Sequence, residues 1–176
     1  MPNAVAHIII PMLLVGIFRD YFVKDKKKFP LYYVFIAGIA GALPDIDVLF
    51  YYIMSFNGYS YEAIHQTYTH SLIAPLIIFL LAFLFIKVKP FKLKRKKLKI
   101  STILFLIAFG VFSHIILDFL LVSVKMFYPY KRAFSSGFSD LIPKGWGDSF
   151  IKVFDGIILI IWIVYLELKH KISDVI

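Results

Sequence analysis

A small set of ionisable side chains interrupts the long apolar stretches of this sequence. Its members are four histidines and three aspartates: His7, Asp45, Asp47, His65, His70, His114 and Asp118. Ionisable groups within membrane-spanning segments are costly, and by default they indicate a functional site that faces the interior of a helix bundle. The chain has no cysteine, so any metal must be held by histidine, carboxylate or backbone oxygen. The set therefore predicts a polar functional site inside an apolar protein.

Local spacing brings some of these residues together in pairs. His114 and Asp118 are four residues apart, so on a helix they lie on one face and could share a metal ion, or act as a ligand and its supporting partner. Asp45 and Asp47 are two residues apart, which on a continuous helix would send them to nearly opposite sides. Pro44 lacks an N–H and disfavours helical geometry in the residue before it. A break at Pro44 would let both carboxylates turn toward one point.

Taken singly, several residues allow a plainer role. His114 could simply be hydrogen-bonded to a backbone carbonyl, and Asp45 could cap a helix at the break. In the segment HQTYTHSL, we expect Thr69 or Ser71 to cap the following helix rather than to act as a nucleophile. His170 lies in a charged tail, where we expect it to be solvated.

The elements that must position the polar set are membrane helices. The chain has 176 residues, of which 60% are hydrophobic and 18% charged, and its mean hydropathy is +0.81, outside the usual soluble range. Uncharged runs occupy 4–18, 29–44 (continuing to 56 after the acidic pair), 71–86, 100–117 and 156–166. A span needs about 20 apolar residues, fewer when flanking side chains snorkel. We predict an all-α polytopic membrane helix bundle with about five transmembrane helices, the second broken at Pro44, in a single integral membrane domain over 1–176.

Basic residues mark one side of this bundle. Four lysines lie in 24–28, after the first run, and eight Lys and Arg residues lie in 87–99. The positive-inside rule places both loops and the C-terminus in the cytoplasm, and the N-terminus and the loops 55–69 and 125–150 outside. We expect 87–99 to attract anionic lipid head groups. Nucleic acid is not expected as a partner, because the loop lacks an array of aromatic side chains on which bases could stack.

Counting helical rise from the cytoplasmic ends of the predicted spans gives the depth of each polar group. At about 1.5 Å per residue, His7, Asp45 and His114 lie roughly 21–22 Å from that side, and His70 and Asp118 roughly 25–27 Å. Hydropathy alone does not require this agreement. It predicts that four helices deliver polar groups to one level, in the outer third of the membrane.

Short motifs along the chain together resemble a known family. "AH" near the start, "LPDID", "HQTYTHS", and "HIILD" followed by "YPY" have the order and spacing found in the membrane-bound metal-dependent hydrolases, also described as inner-membrane-associated hydrolases. The resemblance runs from residue 6 to about residue 132. That family is in turn distantly similar to zinc-dependent phospholipase C and the P1-type nucleases, helical proteins whose His and Asp ligands hold a cluster of zinc ions. The resemblance implies metal-site roles for His7, Asp45, Asp47, His65, His70, His114 and Asp118.

The chemistry implied by this resemblance is metal-assisted hydrolysis. Seven mixed ligands exceed the three or four that one catalytic zinc takes, and they suit two ions with a bridging carboxylate better. We expect one to three divalent ions, zinc as first choice and manganese as second, with Asp47 and His70 as catalytic residues. Such a site activates a water near neutral pH and polarises a phosphoryl oxygen, so it predicts hydrolysis of a phosphate ester. Its depth favours a lipid or lipid-linked phosphate as substrate, with membrane lipids as partners.

One position departs from the family pattern, and other functions stay open. Gln66 replaces an arginine of the family, and Lys131 or Arg132 could take over its role. A divalent-metal-binding or transport protein would be expected to continue polar groups to the cytoplasmic face, where the spans are almost wholly apolar. A non-catalytic membrane scaffold or regulator would explain the basic loop and the aromatic content, but not the matched depths.

Overall fold

The computed structural model describes residues 4–93, 96–143 and 145–171, and this part of the chain is mainly helical. The helices are α1 (Ala4–Phe22), α2 (Tyr32–Gly41), α3 (Ile46–Ser55), α4 (Tyr61–Ile64), α5 (Ile73–Leu84), α6 (Ile100–Leu121) and α7 (Gly147–His170). Two strands, β1 (Phe91–Leu93) and β2 (Lys96–Leu98), separate α5 from α6, and 3-10 turns occupy Tyr68–His70 and Phe138–Leu141.

Among the described residues, three helices are long and apolar enough to cross a membrane: α1, α6 and α7. Helices α2 and α3 make a fourth span when they are taken together, bent by 42° at the break between Gly41 and Ile46. The predicted membrane helix bundle and the break at Pro44 are therefore confirmed. The protein is a multi-pass membrane protein.

The run predicted as a span at 71–86 forms a shorter helix than expected. α5 has 12 residues, or about 18 Å at about 1.5 Å per residue, against a hydrocarbon core of about 30 Å. Its start is delayed because the preceding residue Leu72 donates its N–H to the Met126 carbonyl, at 2.9 Å, instead of continuing a helix upstream. The structure thus gives three to four spans by length and composition, with α5 as a further apolar helix rather than a full fifth span.

Glycines allow α1, α2 and α6 to approach one another closely. A Cβ on Gly110 of α6 would lie 2.6 Å from both the Ala37 carbonyl oxygen and the Ala40 Cβ of α2. Gly41, at the end of α2, lies directly against the backbone of His7 in α1. Small residues at such contacts let helix backbones pack tightly in a membrane. α2 is therefore held between α1 and α6, and the carbonyl groups of Ala37 and Gly41 face α6.

A basic β-hairpin lies at one end of the bundle, which we call the hairpin end. Its strands are antiparallel and pair Phe91 with Leu98 and Lys92 with Lys97. Leu98 is buried in the core that α1, α2 and α6 share, and the Lys99 N–H donates to the Tyr33 hydroxyl at 2.7 Å. The hairpin is thus attached to the helices and continuous with their core.

The last helix, α7, runs parallel to α1 and contacts it at both ends. Near one end, the Ala6 N–H donates to Asp155. Near the other, buried Asp20 accepts hydrogen bonds from Tyr165 at 2.7 Å and from His170 at 3.0 Å. The expectation that His170 is a solvated tail residue is therefore wrong, because it pairs with a carboxylate on the first helix.

Candidate metal centre

Five segments meet at the end of the bundle opposite the hairpin. They are the first turns of α1, the break between α2 and α3, the loop after α4, the turn before α5 and the second half of α6. Together they assemble the seven residues singled out in the sequence: His7, Asp45, Asp47, His65, His70, His114 and Asp118. Six of the seven are buried, and only the Asp45 side chain keeps substantial exposure, at 27%. We call this group the His/Asp cluster.

At the centre of the cluster, two imidazoles and two carboxylates direct their coordinating atoms at one another. Nε2 of His70 and Nε2 of His114 are 3.2 Å apart. Oδ2 of Asp118 lies 3.6 Å from the first nitrogen and 3.4 Å from the second. Oδ1 of Asp45 lies 3.5 Å and 3.6 Å from the same two atoms. Ligand atoms on a tetrahedral zinc are about 3.3–3.6 Å apart, given bonds of about 2.0–2.2 Å. These separations therefore suit ligands of a small cation better than they suit hydrogen bonds.

α1 contributes His7 to the same group. Its ring stacks on the His114 ring, with centroids 3.8 Å apart and planes 21° apart. Its Nε2 lies 3.5 Å from Oδ1 of Asp118. His7 thus approaches one oxygen of Asp118, whereas His70 approaches the other.

Several buried atoms of the cluster have no hydrogen-bond partner among the described residues. They are both ring nitrogens of His7, Oδ1 of Asp45, and both carboxylate oxygens of Asp118. A buried carboxylate without donors is strongly unfavourable, and buried polar atoms are almost always hydrogen-bonded. A divalent cation could coordinate the Asp45 and Asp118 oxygens and one nitrogen of His7, whose other nitrogen carries the proton in a neutral ring. The donor set and its unsatisfied atoms therefore fit a bound metal.

His114 is oriented by the backbone of α2. Its Nδ1 lies 2.7 Å from the Gly41 carbonyl oxygen, and because a carbonyl can only accept, Nδ1 must carry the proton. The lone pair of the ring then lies on Nε2, which faces the cluster. This arrangement is the usual one for a metal-binding histidine. His114 can therefore donate a hydrogen bond to a backbone carbonyl, the plain role considered for it, and also act as a metal ligand.

Asp47 stands behind the histidines rather than among the facing atoms. Its Oδ1 lies 2.8 Å from Nδ1 of His65, and its Oδ2 lies 3.2 Å from Nδ1 of His70. The same Oδ2 accepts from the Thr69 hydroxyl at 2.8 Å and from the Gln66 N–H at 3.2 Å. Both oxygens are therefore engaged, and Asp47 can hold two imidazoles with their Nε2 atoms directed away from it.

Asp45 and Thr69 behave differently from their plain roles as helix caps. Asp45 occupies the N-cap position of α3, but its side chain makes no capping hydrogen bond and turns to the cluster instead. Thr69 is used by Asp47, whereas the Ser71 hydroxyl accepts the Ile73 N–H at 3.1 Å at the start of α5. Of the two expected caps, only Ser71 serves the helix.

Three overlapping triads in the cluster could each hold an ion. They are His7, Asp45 and His114; Asp45, His65 and His70; and His70, His114 and Asp118, with the coordinating atoms of each triad within 4.8 Å of one another. Asp45 belongs to two of them. Because it is also the most exposed member, it is the carboxylate best placed to bridge two ions and to face an entering molecule.

Gln66, which stands where the resemblance predicts an arginine, has an unusual backbone. Gln66 has φ = 56°, a left-handed conformation that is uncommon outside glycine and often found at functional sites. Its N–H is thereby turned to Asp47. Of the two cations considered as substitutes for the arginine, Arg132 lies over the ring of Phe134, 5.6 Å from its centroid. Whether Lys131 or Arg132 takes the arginine's role stays a prediction.

An aromatic side chain borders the cluster near its exposed edge. The Tyr61 ring lies 4.6 Å from the His65 ring, centroid to centroid. Burial raises the pKa of the Tyr61 hydroxyl, and the negative charges of Asp47 and Asp45 raise it further. Tyr61 is therefore a neutral phenol at physiological pH, beside an acidic site.

An apolar groove of about 490 Å³ lies between α5 and α6, and no residue of the cluster lines it. On α6 it is lined by Phe105, Ala108, Phe109 and Phe112, which share one helix face. His114 follows Phe112 by two residues, so it projects about 200° away, on the opposite face. The groove is consequently separated from the cluster by the body of α6.

Comparison with known proteins gives the family of the chain. A family model described as YdjM inner membrane protein matches residues 1–172. The chain belongs to the YdjM inner membrane protein family. No curated protein and no solved structure matches it. Family membership confirms the expectation of an inner-membrane protein family, and it agrees with the apolar helices of the fold.

One buried carboxylate near the cluster was missed by the sequence analysis. Asp155 of α7 is 5% exposed and accepts the Ala6 N–H at 3.1 Å, one residue before His7. In the sequence it resembles the charges that mark the ends of spans, since it precedes the uncharged run 156–166. The signal that could have revealed it is its position well inside a helix, eight residues after Gly147.

Proposed function

We propose that this protein is a membrane-embedded, metal-dependent hydrolase that cleaves a phosphate ester of a lipid or lipid-linked substrate. The observation that carries the proposal is the arrangement of Asp45, His70, His114 and Asp118, whose facing atoms lie 3.2–3.6 Å apart. Their unsatisfied carboxylate oxygens support a cation rather than an internal hydrogen-bond network.

The centre would hold one to three divalent ions, with zinc favoured over manganese. Imidazole and carboxylate are ligands that zinc takes readily, while manganese prefers a higher share of oxygen. His7, His65, His70, His114, Asp45 and Asp118 would contribute the coordinating atoms, and Asp45 would bridge. When bound, such ions supply an activated water near neutral pH and stabilise the charge on a phosphoryl oxygen.

Asp47 and His70 are the residues to which we assign catalysis. The 3.2 Å contact between Oδ2 of Asp47 and Nδ1 of His70 is an Asp–His arrangement, in which the carboxylate orients the imidazole and stabilises its charged form. Asp47 also holds His65 at 2.8 Å. The same carboxylate thus keeps the proton on Nδ1 of both rings, which leaves each Nε2 free to coordinate.

The surroundings of Asp45 favour a lipid substrate. Ile46, Leu49 and Phe50 of α3 are exposed, so in a membrane they face acyl chains next to the open edge of the cluster. A head-group phosphate could approach Asp45 from this side while its chain stays in the bilayer. The acyl chain of the substrate would not follow the groove between α5 and α6, because that groove lies on the other face of α6.

The membrane orientation is part of the proposal. The basic hairpin end would face the cytoplasm, near anionic lipid head groups, and the His/Asp cluster would lie beneath the outer head groups. The N-terminus would then be outside and the C-terminus cytoplasmic. Membrane lipids are the partners that this arrangement calls for, and nucleic acid is not among them.

Metal transport is the main alternative, and the packing of the bundle argues against it. We call Asp20 and its partners Tyr165 and His170 the Asp20 group. Between the His/Asp cluster and this group, which lies at the hairpin end, is an apolar core built from α1, α2, α6 and α7. Its buried members include Met12, Val15, Val34, Ala37, Leu106 and Trp162. An ion crossing the bundle would have to pass through this core without ligands.

A metal-binding scaffold or regulator is a further alternative. It would have the same His/Asp cluster as the proposed hydrolase, but it would not turn over a substrate.

The test is a substrate panel with metal-loaded protein in detergent or liposomes. Phospholipids and prenyl phosphates are incubated with the protein, and released phosphate or head group is detected by mass spectrometry. Turnover should require metal, stop with chelator, and fall steeply in Asp47→Asn, which keeps the size of the side chain but removes its charge. Metal-loaded protein that hydrolyses nothing, yet moves zinc into liposomes, would replace hydrolysis by transport.

A further inference from the structure

Asp155 is a buried carboxylate within the spanning helix α7, and it lies outside the His/Asp cluster and the Asp20 group. Only 11% of the span of α7 is buried, against 44% for α6, so most of α7 faces lipid. Asp155 is an exception, at 5% exposure. Its Oδ1 accepts the N–H of Ala6, which is itself fully buried, at 3.1 Å. Although most of α7 faces lipid, its buried carboxylate forms a hydrogen bond with the first helix.

The position of Ala6 explains why a carboxylate is useful there. Ala6 lies in the first described turn of α1, where N–H groups lack partners within the helix and the helix dipole favours a negative charge. Inside a bilayer no water can serve as a substitute acceptor. Asp155 therefore supplies an acceptor from α7 to a buried N–H at the start of α1.

The residue after Ala6 is His7. The other three imidazoles are held in place by hydrogen bonds, whereas the position of the His7 ring depends mainly on where α1 lies. His114 is oriented by the Gly41 carbonyl, and His65 and His70 are oriented by Asp47. Neither ring nitrogen of His7 has a hydrogen-bond partner in the described part of the chain. Its place in the cluster is set by stacking on His114 and by the backbone that carries it.

We propose that Asp155 is a positioning residue for the metal centre: by accepting the Ala6 N–H it holds the first turn of α1 so that His7 can coordinate. The inference rests on the proposed function only in requiring that the cluster binds metal. It gives α7 a role beyond crossing the membrane, since this helix would then control how many imidazoles the centre offers.

The experiment measures zinc affinity by competition with a chromophoric chelator, and coordination by the visible spectrum of cobalt-loaded protein. Asp155→Leu should weaken zinc binding by about 10- to 100-fold, the range for residues that support a ligand. Asp155→Asn should stay close to wild type, because its amide oxygen can still accept the N–H. Tyr165→Phe is the matched control: it removes a hydrogen bond between α7 and Asp20 at the other end of the helix pair and should leave affinity and spectrum unchanged.

A double variant shows whether Asp155 acts through His7. His7→Ala with Asp155→Leu should bind zinc no more weakly than His7→Ala alone, and the two should have the same cobalt spectrum. Additive losses would overturn the inference, as would wild-type affinity in Asp155→Leu or an Asn variant as weak as the Leu variant. If Asp155→Leu is not recovered in the membrane, Asp155→Ala is measured in its place with the same expectations. A wild-type protein that binds no zinc would instead remove the proposed function itself.

Discussion

His114 presents its two ring nitrogens to different partners, and this division of labour is the basis of the cluster at the scale of single residues. Nδ1 is committed to the Gly41 carbonyl, so Nε2 is left for His70, Asp45 and Asp118. His70 repeats the pattern with Asp47 behind it. The imidazoles of His114 and His70 are thus fixed on one side and available on the other, as a metal site requires.

Replacing His114 should therefore remove metal without removing the protein from the membrane. His114→Ala deletes a ligand while keeping α6 apolar, and zinc affinity should fall by more than about 100-fold, beyond the range of merely supporting residues. Chelator competition in detergent measures it. His170→Ala serves as the control, because His170 binds Asp20 at the hairpin end. An equal loss of zinc affinity in both variants would contradict the assignment of His114 as a ligand.

At the scale of elements, the cluster depends on how closely α2 packs against α6. Gly110 lies one turn before His114 and touches the backbone of α2 near Gly41, the residue whose carbonyl orients His114. The same contact holds the end of α2 from which Asp45 extends. Helix approach and ligand geometry are therefore coupled through one small residue.

Gly110→Ala should damage both stability and metal binding. Its Cβ would meet backbone and side-chain atoms of α2 at 2.6 Å, and such overpacking costs about 1–3 kcal/mol. We expect a lower melting temperature in detergent and weaker zinc binding. In Gly156→Ala the new Cβ has no atom within 4 Å, so this variant should retain both properties. A Gly110→Ala protein with unchanged melting and affinity would contradict the coupling.

Local chemistry explains which of these features the sequence could predict. The break in the second span followed from Pro44, and the shared face of His114 and Asp118 followed from helix periodicity. The sequence could not predict that Asp45 faces the other ligand atoms while Asp47 lies behind the histidines. This difference depends on the 42° bend and on the loop that brings His65 and Thr69 to Asp47. The pairing of His170 with Asp20 joins residues 150 positions apart, and no local pattern encodes it. Asp155 was missed for the same reason, since its partner is a backbone N–H in another helix.

For the whole molecule, polar groups are divided between two ends of an apolar bundle. The His/Asp cluster lies at one end, and the basic hairpin with the Asp20 group lies at the other. Lys92 and Lys97 are directly paired across the hairpin, where like charges repel each other. Anionic lipid head groups would relieve this repulsion. The arrangement suits a cytoplasmic hairpin and a cluster facing the other leaflet.

The orientation can be tested with single cysteines, since the natural chain has none. Asn57→Cys lies in the loop after α3 and Lys92→Cys in the hairpin, and both positions are exposed. An impermeant thiol reagent applied to intact spheroplasts should label position 57 and not position 92, while lysed cells should show both. Labelling of position 92 alone in intact spheroplasts would show that the orientation is the reverse of the one proposed.

The metal content of the purified protein tests the central claim most directly. Protein extracted in mild detergent without chelator is analysed by inductively coupled plasma mass spectrometry, and the remaining sites are titrated with zinc and manganese. Buried Asp45 and Asp118 oxygens without hydrogen-bond donors lead us to predict about one to three divalent ions per chain, zinc foremost. A content near zero, with no uptake of either metal on titration, would contradict the account.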